Sequence, residues 1–209
     1  MSRARLISIF KVVVFIAALG PLAYLFLKAL QNDLGANPVE FVTHATGDTA
    51  LIFLLCSLAI TPLRKIINLP DLIRFRRMLG LYAFFYASLH LLTFVGLDHH
   101  FHWAEVLPDV YKRPFVTAGF TAWLLMVPLA LTSTTWSIRK LGGKNWQALH
   151  RLVYFSAIAG VVHYWWLVKQ DITDPAIYAV ILAVLLGYRL ALKFVDRRRS
   201  AAPSLVTGS

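Results

Sequence analysis

The sequence predicts an all-α integral membrane protein, a bundle of six transmembrane helices. The chain has 209 residues, 58 % of them apolar and only 15 % charged, whereas soluble domains are about 25 % charged. Apolar runs of about twenty residues recur, which is the length a helix needs to cross a bilayer. The loops between the runs are short. We therefore expect residues 1–195 to form one membrane domain and residues 196–209 a basic, flexible cytoplasmic tail.

The six predicted spans follow one another along the chain. They are roughly Leu6–Leu27, His44–Leu63, Met78–Leu97, Pro114–Thr132, Leu149–Val168 and Pro175–Phe194. The first resembles a signal peptide because Arg3 and Arg5 precede its apolar core. That core is long and no clear small-residue cleavage site follows it, so we interpret it as an uncleaved helix. Pro21 and Pro128 fall inside spans, and we expect each to kink its helix.

The basic residues predict the orientation of the bundle. Of the 21 Lys and Arg residues, 17 fall on one side of the predicted spans and four on the other. An excess of positive charge marks the cytoplasmic side, so both termini should be cytoplasmic. The net charge of +11 comes from short clusters between apolar runs rather than from one patch, so nucleic acid is not an expected partner. The chain has a single cysteine, Cys56, which excludes an intrachain disulfide.

Two of the seven histidines fall deep inside predicted spans. His90 lies about 18 Å along span three and His163 about 20 Å along span five, if each residue adds 1.5 Å. Because both spans run outward from the cytoplasm, the two rings should share one depth in the outer half of the membrane. Polar rings at that depth are costly, so a functional role is the default hypothesis. Neutral imidazoles ligate iron, and a pair on helices 3 and 5 would hold a haem between them.

His150 has no such partner in the sequence. It precedes His163 by thirteen residues, which in an ideal helix turns the two rings about 140° apart. The positions in span three that could face it are Arg76 and Arg77, whose guanidinium groups stay protonated and cannot ligate iron. One haem b is therefore the preferred count, with a second at His150 left open. Arg76 and Arg77 suit a propionate, a quinone or a flavin phosphate.

The remaining histidines give less specific signals. His99, His100 and His102 lie in the loop "GLDHHFHWAE", where a metal site is conceivable but solvated side chains are the ordinary interpretation. His44 stands at the outer mouth of span two, where it would either cap that helix or approach the edge of a cofactor.

Four segments carry a resemblance to a known family. They are "GDTALIFLLCSLAITPLR", "RFRRMLGLYAFFYASLH", "RPFVTAGFTAWLLMVPLALTST" and "WQALHRLVYFSAIAGVVHYWW". In order and spacing they resemble the MsrQ (YedZ) family, the haem-binding membrane subunits of bacterial periplasmic methionine sulfoxide reductase systems. That family is similar to the ferric reductases and NADPH oxidases, which carry two haems between the third and fifth spans. By this resemblance His90 and His163 match the outer haem pair, and His150 matches an inner ligand whose partner position is Arg76 or Arg77.

The resemblance also implies a function. The chain would be an electron-transfer subunit of the bacterial inner membrane, with no catalytic residues for methionine sulfoxide itself. Its implied donors are quinol or a separate cytoplasmic flavin reductase, its implied cofactors haem b and FMN, and its implied acceptor the molybdenum-cofactor reductase MsrP. Two alternatives stay open. A transmembrane ferric or metal reductase would explain the histidine-rich loop, whereas a proton-coupled transporter would need intramembrane carboxylates, and only Asp48 lies near a span end.

Overall fold

The computed structural model describes residues 2–168 and 170–201, and within them it has ten α-helices and no β-strand. The helices are α1 (Arg3–Ala18), α2 (Gly20–Leu30), α3 (Pro38–Ile66), α4 (Ile73–Leu92), α5 (Trp103–Lys112), α6 (Pro114–Leu131), α7 (Thr135–Leu141), α8 (Gly143–Leu149), α9 (Leu152–Leu167) and α10 (Thr173–Ala201). A 3₁₀ turn at Pro70–Leu72 precedes α4, and a π-helix at Thr93–Asp98 follows it. The helix α10 continues past residue 195, and residues 202–209 of the predicted tail lie outside the described part.

Within the described residues, five helical stretches are long and apolar enough to cross a membrane. They are Arg3–Leu30, Pro38–Ile66, Pro70–Asp98, Pro114–Leu131 and Thr173–Val195. The all-helical fold and several of the predicted spans are thereby confirmed. The predicted fifth span corresponds to α9, which has 16 residues and is about 24 Å long, short of the roughly twenty residues of a typical crossing. The count of six crossings therefore stays a prediction.

The first predicted span is broken rather than continuous. The helix α1 ends at Ala18, and α2 begins at Gly20 with Pro21 in its first turn, where the missing proline N–H leaves no bond unmade. Tyr86 of α4 bridges the break, because its hydroxyl donates to the carbonyl of Ala18 at 2.8 Å and accepts from the backbone N–H of Leu22 at 3.3 Å. Pro128 lies inside α6, which ends at Leu131.

Four helices form a closed ring at the centre of the bundle. The helix α3 packs on α4, α4 on α6, α6 on α9, and α9 returns to α3. Ala83, Ala157 and Ser156 are completely buried where these helices meet, since small residues let helix backbones approach closely. The helix α10 packs against the ring through Leu182 and Leu185. Large apolar side chains cover the outside of the bundle, as expected for a surface that faces lipid.

Candidate functional site

A cavity of about 370 Å³ lies inside the ring of α3, α4, α6 and α9, within the size range of cofactor sites. His90 of α4 and His163 of α9 both line it, and their ring centroids are 5.9 Å apart with the ring planes at 75°. The walls are mainly apolar and aromatic. They include Leu51, Leu54, Phe94, Phe120, Trp123 and Met126. The structure thus brings together the two histidines that the sequence singled out.

The backbone fixes both rings in the same way. His90 Nδ1 donates to the carbonyl oxygen of Thr43 at 2.9 Å, and His163 Nδ1 donates to that of Phe115 at 2.6 Å. A neutral imidazole that donates from Nδ1 keeps its lone pair on Nε2, which is how metal-ligating histidines are commonly oriented. Among the described residues, neither Nε2 atom has a hydrogen-bond partner. The Nε2 atoms of both histidines therefore keep a free lone pair, and both residues line the same cavity.

Two glycines make room for these rings, and the sequence reasoning missed both. A Cβ atom on Gly119 of α6 would lie 2.7 Å from His163 Nδ1, and one on Gly47 of α3 would lie 3.0 Å from His90 Cε1. Each ring therefore rests directly on the backbone of the neighbouring helix. A signal was present in the sequence, because glycine inside a helix costs about 1 kcal/mol relative to alanine and needs a packing reason.

The geometry can be tested against a six-coordinate haem iron. A metal–imidazole bond is about 2 Å long and the ring centre lies about 1 Å behind the nitrogen, so two rings on opposite sides of one iron have centroids about 6 Å apart. The observed 5.9 Å between His90 and His163 is compatible with that value, and it is also the spacing of an ordinary edge-to-face pair of rings. The site therefore fits a haem held by two histidines. Both Nε2 atoms are free, Gly47 and Gly119 leave room for the two rings, and the walls are apolar.

One mouth of the cavity is polar, and His44 lies there with Asp48, Asp98 and Arg113. The capping interpretation of His44 is wrong. Asn37 caps α3 by accepting a hydrogen bond from the backbone N–H of Glu40 at 3.3 Å, and His44 lies inside that helix on the cavity wall. Its other interpretation, a side chain near the edge of a cofactor, stays a prediction.

The histidine-rich loop divides into two parts. His99 is buried: its Nδ1 lies 3.0 Å from the carbonyl oxygen of Phe94, and its Nε2 lies 3.1 Å from a carboxylate oxygen of Asp109. Asp109 also pairs with Arg113 at 3.3 Å, so His99 links the π-helix to the cavity mouth and is not a solvated side chain. His100 and His102 are exposed. Within the described residues, no group of three or more His, Cys, Asp or Glu could hold a metal ion.

His150 lies apart from the cavity, between α8 and α9. Its ring stacks on Trp146 with centroids 3.8 Å apart, and its Nδ1 donates to the Trp146 carbonyl at 3.0 Å. Its Nε2 is buried and makes no hydrogen bond of standard geometry among the described residues, although the backbone carbonyl of Leu129 lies near the ring. A backbone carbonyl therefore orients the ring of His150 as it does those of His90 and His163. Among the described residues, no second histidine ring lies against that of His150.

The two candidate arginines of α4 separate in the structure. Arg77 lines a groove on the side of α1. Arg76 belongs to the side of α3, where its carbonyl accepts a hydrogen bond from the Ser57 hydroxyl at 3.2 Å. Its guanidinium lies within electrostatic range of both His150 and Arg189. Arg76 is therefore near His150, whereas Arg77 lines the groove beside α1.

Arg189 of α10 is a further residue of that region. It donates to the Leu58 carbonyl at 2.5 Å and to the Tyr154 hydroxyl at 3.3 Å, and its Nε is buried without a partner in the described part of the chain. In the sequence it counted only toward orientation, although its place inside the apolar run "LLGYRLAL" was a signal. We call His150, Arg76 and Arg189 the inner cluster.

Comparison with known proteins agrees with this architecture. The family model described as "Ferric reductase like transmembrane component" matches residues 46–161, a range that contains His90 and His150 and ends just before His163. Three similar relatives are each named "Protein-methionine-sulfoxide reductase heme-binding subunit MsrQ". The protein of Herminiimonas arsenicoxydans is 51 % identical, covering 94 % of this chain and 91 % of its own. That of Rhodospirillum rubrum is 49 % identical, covering 93 % of each chain.

The third relative, from Xanthomonas euvesicatoria pv. vesicatoria, is 50 % identical over 93 % of this chain and 91 % of its own. Similarity at this level extends over nearly the whole length of both proteins. The chain belongs to the MsrQ family, within the ferric reductase like transmembrane components.

Proposed function

We propose that the chain is a membrane cytochrome b. It would carry electrons from the cytoplasmic side or the quinone pool to the periplasmic methionine sulfoxide reductase MsrP and so support repair of oxidised periplasmic proteins. The observation that carries the proposal is the pair His90 and His163, with ring centroids 5.9 Å apart in one cavity and both Nε2 atoms free. The names of the relatives, which describe heme-binding subunits of protein-methionine-sulfoxide reductases, support it.

In this proposal His90 and His163 would hold one haem b, which would supply reversible one-electron chemistry when bound. The carbonyls of Thr43 and Phe115 accept from the two Nδ1 atoms, which orients the rings and raises the electron density on each Nε2. The apolar walls keep water from the site, and a water-poor site tunes the iron's potential. The polar mouth at Arg113 and His44 offers groups that could meet propionates.

The inner cluster is the proposed place of electron entry. His150 offers a buried, free Nε2, while Arg76 and Arg189 have no acidic partner among the described residues. Two half-buried cations with no carboxylate partner favour an anionic group, such as a flavin phosphate or the propionate of a second haem. FMN, a quinol or a cytoplasmic flavin reductase would supply the electron there. One haem remains the preferred count, with a second at His150 as the alternative.

The proposed orientation places both termini in the cytoplasm of the bacterium, in its inner membrane. The helix α9 would be the sixth crossing, with the short helix α8 directly before it. The π-helix and α5 would then form the periplasmic surface that meets MsrP. A π-helix directly after His90 supports a functional role for this end, because such turns are frequent at functional sites.

The experiment that tests the proposal is a haem-to-protein ratio with a reduced-minus-oxidised spectrum of the purified protein. Single variants His90→Ala and His163→Ala should lose the Soret band. The matched control is His102→Ala, an exposed loop histidine, which should keep it. Normal haem content in both cavity variants would overturn the assignment of the ligands.

A second candidate function is a transmembrane reductase of ferric or other metal ions. The description of the matching family favours it, although His99, a member of the histidine-rich loop, is already bound to Asp109. Reconstituted, reduced protein offered a ferric chelate and, separately, a periplasmic methionine sulfoxide reductase distinguishes the two acceptors. The proton-coupled transporter is the third alternative, and it requires a colourless protein.

A further inference from the structure

A groove of about 540 Å³ runs along the outside of the bundle between α1 and α4. One end carries three cations, Lys11, Arg74 and Arg77. The rest is apolar, with Phe15 of α1 and Phe85 of α4 on its two walls. This groove is separate from the haem cavity and from the inner cluster, and the proposed function makes no use of it.

The register of the two helices explains why the cations meet. Tyr82 of α4 donates to the carbonyl of Phe15 at 2.8 Å, and Arg3 at the start of α1 pairs with Asp71 at 2.8 Å. The helices therefore run side by side in the same direction. Lys11 lies one turn before Phe15, as Met78 lies one turn before Tyr82, so Lys11 is level with the residue that follows Arg77.

The charges in the groove are only partly compensated. Arg74 pairs with Asp71 at 3.3 Å. Lys11 and Arg77 have no ion-pair partner among the described residues. Lys11 is also eight residues beyond the start of α1, about 12 Å along the helix, and every residue of α1 after it is apolar. An unpaired lysine in such a segment is costly, and a ligand with one negative charge would relieve that cost.

The apolar part of the groove is open to the surroundings of the bundle. Phe15 is 51 % exposed, Leu19 36 % and Phe85 37 %. The separation of eight residues between Arg77 and Phe85 gives this part a length of about 12 Å along α4. An occupant would thus place a charged group at one end, extend an apolar portion along the aromatic walls, and leave its far side in the bilayer.

We propose that this groove binds one anionic phospholipid, with its phosphate between Lys11 and Arg77 and an acyl chain along Phe15 and Phe85. Basic pockets beside membrane helices bind such headgroups. A quinone has no negative charge to match the two cations. A soluble phosphate ester would leave the apolar walls uncovered.

The test compares lipids on the purified, intact protein. Native mass spectrometry counts the lipids retained from mixed phosphatidylglycerol and phosphatidylcholine micelles, and thermal unfolding is measured in each lipid. We expect one phosphatidylglycerol to be retained and to raise the unfolding temperature by several degrees over phosphatidylcholine. The double variant Lys11→Gln/Arg77→Gln should lose both effects. The control Lys65→Gln/Lys144→Gln removes the same charge from exposed positions outside the groove and should keep them.

The other outcomes contradict the proposal. Equal loss in the control variant would mean nonspecific attraction to the basic surface. Stabilisation by glycerol 3-phosphate alone would mean a site for a soluble phosphate, and displacement of the lipid by a short-chain quinone would mean a quinone site. If the groove variant cannot be purified, the wild-type protein decides, because equal retention of the two lipids would overturn the proposal.

Discussion

The cavity lined by His90 and His163 differs from the inner cluster in what lies near its histidines. In both regions a carbonyl accepts from Nδ1 and leaves Nε2 free: Thr43 and Phe115 do this in the cavity, and Trp146 does it for His150. In the cavity a second imidazole faces the first at 5.9 Å. In the inner cluster the charged neighbour of His150 is Arg76, which is in turn near Arg189. The imidazole orientation is therefore the same in both regions, and the regions differ in whether a second imidazole or a cation lies nearby.

Gly119→Ala should have the largest effect of the variants proposed here, and it should act on the cavity. A Cβ atom would lie 2.7 Å from His163 Nδ1, closer than real contacts allow, so the ring must leave its position. We expect haem content to fall to about a tenth or less, measured by the pyridine haemochrome assay. The control is Gly160→Ala in the same cavity, where the nearest atom would be Leu51 Cδ1 at 3.7 Å. Similar haem loss in both variants would contradict the role of Gly119 in making room for the His163 ring.

Arg76→His tests the inner cluster by supplying the missing imidazole. If the lack of a second ligand sets the haem count at one, the variant should raise the haem-to-protein ratio from near one toward two. It should also add a second component to the reduced spectrum. Arg76→Gln, which removes the charge without adding a ligand, is the control and should leave the ratio unchanged. A wild-type ratio already near two would refute the one-haem preference.

Gly47→Ala should have an intermediate effect. Its Cβ would lie 3.0 Å from His90 Cε1 and Nδ1, a contact that a small rotation of the ring can relieve. We expect most haem to be retained with a midpoint potential shifted by tens of millivolts, measured by redox titration. Gly80→Ala is the control, because its Cβ would meet only the Ser57 hydroxyl at 3.4 Å. An unchanged potential in the first variant would show that the ring is not held by α3.

His150→Ala should change the haem content least. Under the one-haem preference the ratio stays near one and the Soret band of the cavity haem is preserved. Reduction from the cytoplasmic side should slow several-fold, because the entry region loses its imidazole. Stopped-flow reduction with a flavin reductase measures this, and an unchanged rate would remove His150 from the entry route.

The sequence located the two cavity histidines, although the predicted starts of their helices differ from the observed ones. The predicted spans begin at Met78 and Leu149, whereas the helices begin at Ile73 and Leu152. Counted from those starts, His90 and His163 lie about 26 and 17 Å along their helices. The rings still meet because α4 and α9 begin at different heights in the bundle. A helix start that depends on the 3₁₀ turn and the break at His150 cannot be obtained from hydropathy alone.

The sequence by itself determined the helical membrane class, the approximate spans and the candidate ligands His90 and His163. Hydropathy and the rarity of polar groups in apolar runs are local properties, and they can be read without the fold. Only the tertiary structure decided which helix backbones approach the rings, and so why Gly47 and Gly119 are glycine. It also separated Arg76 from Arg77, adjacent in sequence, and joined Arg76 to Arg189 of α10. Those assignments depend on helix rotation and register, which arise from packing between distant segments and not from the composition of any one of them.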